Sequence, residues 1–264
     1  MTQSTQFDLS EKTVLITGGA GFLGRHFARA LAAAGARVAV GDVDEKRALA
    51  AAGEIGAGAS GLLMDVTDKK SIEAAVQQAA KETGRLDVLV NNAAIDAKFE
   101  TGAQPNDKLF ENYPEEMLRG SLDVNLLGYV LCAQAAAKKM LEQSGGNIIN
   151  VSSIYGVVGP DQRIYPAGTQ KPVDYAITKG GVLMLTKWLA TTYGARGIRA
   201  NSYTLGGVFN GHDDEFARKY SERVPLGRMV DPEDIGAPLV FLASEASSGM
   251  TGHNLVVDGG LTAW

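Results

Sequence analysis

The sequence contains little that could cross-link it or hold it in a membrane. Of its 264 residues one is a cysteine, Cys132, which cannot form an internal disulfide. Its place among the alanines of a helical pattern predicts a small core residue and not a nucleophile. No run of about 18 apolar residues provides a membrane span, and residues 1–12 lack the basic and apolar segments of a signal peptide. We therefore expect a cytoplasmic protein with no membrane partner.

Clustered positive charge is also absent. The formal net charge is −5, from 25 lysine and arginine residues against 30 aspartate and glutamate residues. Because nucleic acids and anionic membranes are bound by clustered cationic side chains, we expect neither and predict a small-molecule partner. Linkers and internal repeats are missing as well. With 45% hydrophobic residues, residues 1–264 are predicted to form a single domain with a sizeable core.

What the chain does contain is a glycine-rich turn directly after an apolar run. Residues 13–24 read TVLITGGAGFLG. The uniformly apolar run is typical of a parallel strand covered on both faces, and the glycines let the backbone approach a ligand closely. The amides of this loop and of the following helix would form an anion site suited to a pyrophosphate, although a tight structural turn is an alternative interpretation. Asp42, 18 residues after Gly24, has the spacing of a carboxylate that binds the adenosine ribose.

Apolar runs and segments of helical period alternate along the chain, which predicts an α/β doubly wound parallel sheet (Rossmann fold) of about seven strands. Strands are predicted at 14–16, 37–41, 61–64, 86–90, 147–151, 198–203 and 254–257. Helices are predicted at 21–34, 44–53, 68–83, 114–143, 173–193, 213–222 and 232–244. Polar segments between them predict substrate loops at about 95–112, 159–173 and 206–225.

Four polar side chains are candidates for chemistry. Tyr175 and Lys179 are four residues apart in a predicted helix, so both project from one face. A close ammonium would bring the phenol, with an ordinary pKa of ~10, nearer to neutrality and so favour proton transfer. Ser153 follows the fifth strand, where it could hold a substrate oxygen or simply cap a helix. Asn125 lies among apolar residues, where the residues alone indicate a hydrogen bonder that bends a helix.

Five ordered motifs together resemble the short-chain dehydrogenase/reductase family. They are TGGAGFLG, NNAA at 91–94, Asn125, VSS at 151–153 and YAITK from Tyr175 to Lys179. The resemblance covers essentially the whole chain, including Asp65 and the LVVDGG segment at 255–260. It implies a nicotinamide cofactor and direct hydride transfer between that cofactor and a substrate carbon.

The resemblance also implies a role for each motif residue. Tyr175 would be the general acid/base, Lys179 would lower its pKa and hold the nicotinamide ribose, Ser153 would bind the substrate oxygen, and Asn125 would anchor a proton-relay water. Cofactor contacts would come from Gly18, Gly21, Phe22, Leu23, Gly24, Asp42, Asp65, Val66, Asn91, Ala93, Tyr175, Lys179, Gly206 and Val208. Since Asp42 would repel a 2′-phosphate and residues 19–21 offer no cation, the predicted cofactor is NAD. No metal is predicted.

Three departures from the family pattern stand out. Phe22 occupies a position where single-domain members usually have glycine, and the resulting spacing resembles the sugar-nucleotide epimerase branch. Leu205 stands where the family usually has a proline before glycine. Ser153 and Tyr175 are 22 residues apart, a longer interval than is usual, so the surplus around Gln162 to Lys171 predicts an enlarged loop beside the catalytic pair.

We expect an NAD-dependent oxidoreductase that interconverts a secondary alcohol and a ketone on a sugar, sugar-acid or polyol substrate. The substrate class rests on the polar insertion, on the polar loop at 95–112, and on a likeness of residues 152–165 to members linked with sugar modification. A 3-oxoacyl-thioester reductase and a non-catalytic dinucleotide-binding regulator remain as alternatives. The family resemblance implies a homotetramer or homodimer. Trp264, at the end of the chain, would be covered by a partner subunit or fold back onto its own domain.

Overall fold

The structure, a computed structural model, describes residues 6–56, 58–96, 109–166 and 168–264. Within these residues seven strands form one parallel sheet in the order β3-β2-β1-β4-β5-β6-β7. The strand order reverses between β1 and β4, so the prediction of a doubly wound parallel sheet is confirmed. The strands are β1 (Thr13–Thr17), β2 (Arg37–Asp42), β3 (Ala59–Leu63), β4 (Val88–Asn91), β5 (Gly146–Ser153), β6 (Ile198–Leu205) and β7 (Asn254–Val257).

Helices cover both faces of the sheet, as right-handed crossovers between parallel strands require. Val14 and Ile16 pack into one helical layer, whereas Leu15 packs into the other, because successive side chains of a strand point to opposite faces. Cys132 is buried in the second layer, as predicted. The helices are α1 (Phe22–Ala33), α2 (Glu45–Ile55), α3 (Lys69–Ala79), α4 (Glu115–Leu122), α5 (Gly128–Glu142), α6 (Val173–Tyr193), α7 (Asp214–Ser221) and α8 (Gly236–Ala243).

The predicted helix at 114–143 is not continuous. A π-helical turn at Asp123–Leu127 separates α4 from α5, and it contains Asn125. The side chain of Asn125 bonds to the backbone of Ile95, outside the helix. Extra residues of this kind are inserted into helices where a side chain must be directed to a particular site. The interpretation of Asn125 as a hydrogen bonder is therefore confirmed, the expectation that it bends the helix stays untested, and the prediction of a single long helix is wrong.

Other boundaries differ by a few residues. β5 continues to Ser153, so this serine is the last residue of the strand. β3 begins two residues earlier than predicted, and the segment predicted as a helix at 232–244 begins with a 3₁₀ turn before α8. Residues 97–108 of the predicted loop at 95–112 lie outside the described residues. Along the part of the chain that the structure describes, no helix has both the length and the apolar character needed to cross a bilayer.

Candidate active site

The candidate site lies at the carboxyl ends of the strands, next to the point where the strand order reverses. Ligands of open α/β sheets bind in this crevice because the loops on either side of the reversal point diverge. The segments after β1, β2, β4 and β5 all meet here, and these are the segments in which most of the predicted cofactor and catalytic residues lie. The sheet therefore brings together groups that are far apart in sequence.

The glycine-rich loop after β1 is packed too closely for side chains. Gly18 has a φ of 61°, and a Cβ added to it would lie 2.8 Å from the Cα of Ala93. A Cβ at Gly24 would overlap with the carbonyl oxygen of Gly18. Thr17 joins this loop to the segment after β4, because its hydroxyl accepts the amides of Asn92 and Ala93 at 2.9 Å. The glycines thus permit a close approach of backbone to backbone and leave the loop edge free of side chains.

Asp42, at the end of β2, faces this loop. Its carboxylate is 7% exposed and accepts the amides of Ala20 and Asp44, each at 3.2 Å. The guanidinium groups of Arg25 and Arg47 donate to the carbonyl oxygen of Ala20 at 3.1 and 3.2 Å. Residues 19–21 carry no cation, as the sequence shows, but two arginines from α1 and α2 reach the same loop. Sequence reasoning missed both: Arg47 is brought there by the packing of α2, whereas Arg25 lies five residues after Ala20 in the first turn of α1 and is also paired with Glu54.

The remaining predicted cofactor residues lie along the same edge of the sheet, and they differ in their exposure to solvent. The side chain of Asp65 accepts both the amide and the hydroxyl of Thr67 and so shapes the turn after β3, where Val66 is buried. Gly206 and Val208 follow β6. Phe22 is exposed, whereas Leu23 packs against the core.

Asn91 is fully buried, and its amide nitrogen donates to the Asn150 side chain at 2.9 Å and to the carbonyl oxygen of Tyr129 at 3.3 Å. Its amide holds β4 against β5 and α5. A contact between Asn91 and a cofactor stays a prediction.

The ammonium of Lys179 is buried at the end of β5. The residue is 3% exposed, and its Nζ donates to the carbonyl oxygen of Val151 at 2.9 Å and to the hydroxyl of Tyr129 at 3.1 Å. Burial disfavours the charged form and lowers the pKa of Lys179 to about 8. The nearby carboxylate of Asp96 opposes this shift, whereas the ammonium of Lys171 adds to it. Tyr129 carries no sequence signal, because it belongs to an ordinary apolar pattern, whereas Val151 begins the VSS motif but binds Lys179 through its backbone carbonyl.

Tyr175 lies on the same face of α6, with its ring centroid 5.9 Å from the Nζ of Lys179. Burial is the largest influence on its pKa and raises it above the ordinary value of a phenol. The charge of Asp96 raises this pKa further, while a hydrogen bond from Ser153 lowers it. Burial thus prevails over the other influences on the pKa of Tyr175, and the expected lowering of this pKa by the ammonium of Lys179 stays a prediction.

Ser153 and Asn125 complete the predicted set. The hydroxyl of Ser153 accepts the amide of Tyr155 at 3.2 Å, so this residue caps a 3₁₀ turn and also lies beside Tyr175. The capping interpretation of Ser153 is therefore confirmed, and its role in holding a substrate oxygen stays a prediction. The side chain of Asn125 is fully buried, with Oδ1 accepting the amide of Ile95 at 2.7 Å and Nδ2 donating to its carbonyl oxygen at 2.8 Å. Asn125 thus holds the segment after β4; its role as a water anchor stays a prediction.

The enlarged loop before α6 reaches the ring of Tyr175. The Nζ of Lys171 lies 4.0 Å from the Tyr175 ring centroid and bonds to both carboxylate oxygens of Asp96, at 2.6 and 2.7 Å. The prediction that the surplus residues lie beside the catalytic pair is consistent with this contact. Sequence reasoning named Lys171 only as one polar residue of the insertion, and it did not name Asp96 as a site residue.

Comparison with known proteins agrees with this arrangement. A family model described as enoyl-(acyl carrier protein) reductase matches residues 19–262. The L-rhamnose 1-dehydrogenase (NAD(P)(+)) of Azotobacter vinelandii is 38% identical over 96% of this chain and 97% of that protein. The D-threitol dehydrogenase of Mycolicibacterium smegmatis is 36% identical over 97% of this chain and 95% of that protein.

Among solved structures, a gluconate 5-dehydrogenase from Burkholderia cenocepacia J2315 in complex with NADP and tartrate superposes with a TM-score of 0.87 at 30% identity. It covers 99% of both chains. Some other relatives align over little more than half their length, such as the post-translational flagellin modification protein A of Campylobacter coli, of which this chain covers 57%. The nearly full-length matches support an alcohol oxidoreductase that uses a nicotinamide dinucleotide.

We predict that charge substitutions beside Lys179 move its pKa in opposite directions. Lys171→Met removes a like charge and should raise the pKa from about 8, whereas Asp96→Asn removes an attracting charge and should lower it. Titration of lysine labelled with 13C at Cε, followed by NMR, measures both shifts. Lys12→Met, at the amino end of β1, is the control and should leave the Lys179 titration unchanged. A Lys179 pKa near the unperturbed value of ~10.4 in the unsubstituted protein would contradict the burial of this ammonium.

Proposed function

Because the chain belongs to the short-chain dehydrogenase/reductase family, we propose that it is an NAD(H)-dependent oxidoreductase that interconverts a secondary alcohol and a ketone. The observation that carries the proposal is the meeting of Ser153, Tyr175 and Lys179 at the carboxyl end of β5. A hydroxyl, a phenol and a buried ammonium within one small volume can hold a carbinol and take up its proton. A regulator that only binds a dinucleotide needs none of these groups.

In the direction of oxidation, Ser153 holds the substrate oxygen and Tyr175 accepts its proton as the carbon–oxygen double bond forms. When bound, a nicotinamide dinucleotide supplies the acceptor for the hydride that leaves the carbinol carbon. Lys179 stabilises the phenolate form of Tyr175, which must be present before the proton is accepted, because its ammonium is held 5.9 Å from the ring centroid. Tyr129 and the Val151 carbonyl keep that ammonium in place and satisfy two of its three donor hydrogens.

The residues of the glycine-rich loop fit a dinucleotide. The backbone edge at Gly18 and Gly24 has no room for side chains, which suits a pyrophosphate bound by amide groups. The carboxylate of Asp42 keeps lone pairs free beyond its two backbone partners and can accept a ribose hydroxyl. We propose NAD as the cofactor because a 2′-phosphate would approach this buried carboxylate. Arg47 offsets part of that repulsion, whereas Arg25 is already paired with the carboxylate of Glu54. The names of the relatives include both NAD(P)(+) and NADP.

We propose a sugar, sugar acid or polyol as the substrate. Relatives that match nearly the whole chain are named for L-rhamnose and D-threitol, and the matching structure is named for gluconate. The family model's description and a (3R)-3-hydroxyacyl-CoA dehydrogenase of Mus musculus, of which this chain covers 58%, favour the alternative of a 3-oxoacyl-thioester reductase. Oxidation of sugars and polyols compared with 3-hydroxyacyl thioesters separates the two.

Loss of the Tyr175 hydroxyl tests the catalytic assignment. Tyr175→Phe keeps the ring but removes the group that carries the proton, so turnover should fall ~100-fold or more. The dissociation constant for NADH, measured by fluorescence titration, should change little because the glycine-rich loop and Asp42 are untouched. Tyr193→Phe, at the end of α6, is the control and should retain full turnover. Near-normal turnover of the Tyr175 variant would revive the non-catalytic regulator.

Cofactor preference tests the role of Asp42. We expect NADH to bind more tightly than NADPH, and Asp42→Ser should weaken NADH binding and improve NADPH binding by removing the repelling carboxylate. Glu45→Gln, which removes an exposed carboxylate from the first turn of α2, is the matched control and should leave the ratio unchanged. Tighter binding of NADPH to the unsubstituted protein would show that the charge of Arg47 outweighs that of Asp42.

We propose that the protein is a homo-oligomer, either a tetramer or a dimer. Along α6 the side chains of Ile177, Met184 and Trp188 are exposed on one face, at spacings of seven and four residues. Trp264 is 79% exposed, so its own domain leaves most of the indole uncovered. Exposed apolar faces of this kind are typical of subunit interfaces.

Light scattering at micromolar concentration should therefore give a mass well above 27.8 kDa. Trp188→Asp should reduce that mass by placing a charge on the proposed interface, while Leu49→Asp, at an exposed apolar residue of α2, should not. A mass of 27.8 kDa for the unsubstituted protein would overturn the proposal. Deletion of Trp264 that preserves the oligomer but weakens substrate binding would assign the end of the chain to the active site.

A further inference from the structure

A second charged pair lies beside Tyr175 and has no part in the mechanism above. The ammonium of Lys171 bonds to both carboxylate oxygens of Asp96, at 2.6 and 2.7 Å. Lys171 comes from the inserted loop before α6, whereas Asp96 comes from the segment after β4. The side chain of Lys171 is 11% exposed and that of Asp96 is 48% exposed, so the carboxylate is the open side of the pair.

Each member of the pair is held by separate hydrogen bonds. Ile95, the neighbour of Asp96, is bonded through its amide and its carbonyl to the buried side chain of Asn125. The amide of Lys171 donates to the Gln162 side chain at 2.8 Å, and the amide nitrogen of that side chain donates to the Lys171 carbonyl at 3.3 Å. Because both backbones are fixed, the pair is ordered before any ligand arrives and binding requires little reorganisation.

The pair faces the reacting groups. The Nζ of Lys171 lies 4.0 Å from the ring centroid of Tyr175 and 5.9 Å from that of Tyr155. The charge of Asp96 raises the pKa of Tyr175 and of Tyr155, as expected of a carboxylate on the same side of these rings. A substrate whose oxygen is held by Tyr175 and Ser153 therefore has the Asp96–Lys171 pair next to it.

The chemistry of the pair favours hydroxyl groups over carboxylates. An ionised carboxylate has about four lone-pair positions, so Asp96 can still accept hydroxyl donors after pairing with Lys171. A carboxylate of a substrate would have to compete with Asp96 for Lys171 and would lie against a like charge. A hydroxyl both donates and accepts, so it can bond to the Asp96 oxygen and to the third hydrogen of the Lys171 ammonium.

We propose that Asp96 and Lys171 bind a second hydroxyl of the substrate, so that the preferred substrate is a neutral polyhydroxylated compound, a polyol or sugar, and not a sugar acid or a simple secondary alcohol. This inference rests on the proposed function and deepens it by naming the substrate class. It also assigns a role to the inserted loop, which supplies the ammonium of the pair.

The test compares substrates of equal chain length that differ in their hydroxyl or carboxylate groups. Threitol, threonate and 2-butanol are assayed for kcat/KM with NAD and with NADP, within a wider panel of C4–C6 alditols, aldoses, aldonates and simple secondary alcohols. Asp96→Asn should lower the ratio of kcat/KM for the best polyol or aldose over 2-butanol about 10-fold to 100-fold, because a charge-assisted hydrogen bond to the second hydroxyl is lost. The substitution also changes the charge near Lys179. Because the oxidation of both substrates uses Lys179, this effect on kcat/KM cancels in the ratio.

Lys171→Gln is the second variant and should lower the same ratio. Glu245→Gln, which removes the ion pair with Lys12 at the amino end of β1, is the control and should leave the ratio unchanged. An unchanged ratio in both site variants would overturn the inference, and so would a preference for aldonates or for simple secondary alcohols in the unsubstituted protein. In each of these cases the proposed alcohol oxidoreductase stands. Failure to oxidise any secondary alcohol of the panel with either cofactor would overturn the proposed function itself.

Discussion

The candidate site depends on one buried charge, the ammonium of Lys179. Removing a charge from water is costly unless partners compensate, and here they come from two further elements, β5 through the Val151 carbonyl and α5 through the Tyr129 hydroxyl. The carbonyl of Val151 accepts from the Tyr129 hydroxyl as well, so the three groups form a closed set of hydrogen bonds. A small shift of α6 against the sheet would leave this ammonium buried and unpaired, so its presence requires a single relative position of helix and sheet.

A chain of buried polar side chains holds that position. The amide of Asn91 on β4 donates to Asn150 on β5, and Asn150 donates to the hydroxyl of Thr186 on α6. Ser202 on β6 contributes a further bond to the same hydroxyl at 2.7 Å. Three strands are thereby joined to the helix that carries Tyr175 and Lys179. Hydrogen-bonded networks of buried side chains rigidify a core, and in this network only Oδ1 of Asn91 accepts no hydrogen bond from the described residues.

The surroundings of Tyr175 combine opposing influences. Two ammonium groups lie near its ring. Lys171, at 4.0 Å from the ring centroid, is neutralised by Asp96, whereas Lys179, at 5.9 Å, is not paired with any carboxylate among the described residues. Burial raises the pKa of Tyr175, and it lowers the pKa of Lys179. The inserted loop therefore neutralises the substrate side of the site, since it brings a cation to a carboxylate that the segment after β4 already provides. The catalytic side and the substrate side are built from different elements but are coupled electrostatically, because Asp96 and Lys171 both influence the pKa of Lys179.

Much of this protein was predictable from the sequence, because the signals concerned are local. A uniformly apolar strand, a glycine-rich turn and the spacing of Tyr175 and Lys179 each lie within a few residues, and their order along the chain gave the fold class and the principal candidate residues. Asn125 is an intermediate case: its polarity among apolar residues indicated a hydrogen bonder, but a π-helical turn cannot be distinguished from a continuous helix by periodicity alone.

Tertiary structure decided what depends on contacts between distant segments. Such contacts are the bond from Arg47 to the Ala20 carbonyl, the bonds of Lys179 to its partners, and the pairing of Asp96 with Lys171. They join residues that are 27 to 75 positions apart, so no spacing rule connects them. The pKa of Tyr175 is likewise set by how far packing excludes water, which sequence spacing does not report. The sequence determined which groups the site would contain, and only the folded chain decided which charges those groups would meet, because electrostatic energies depend on distance and burial in space.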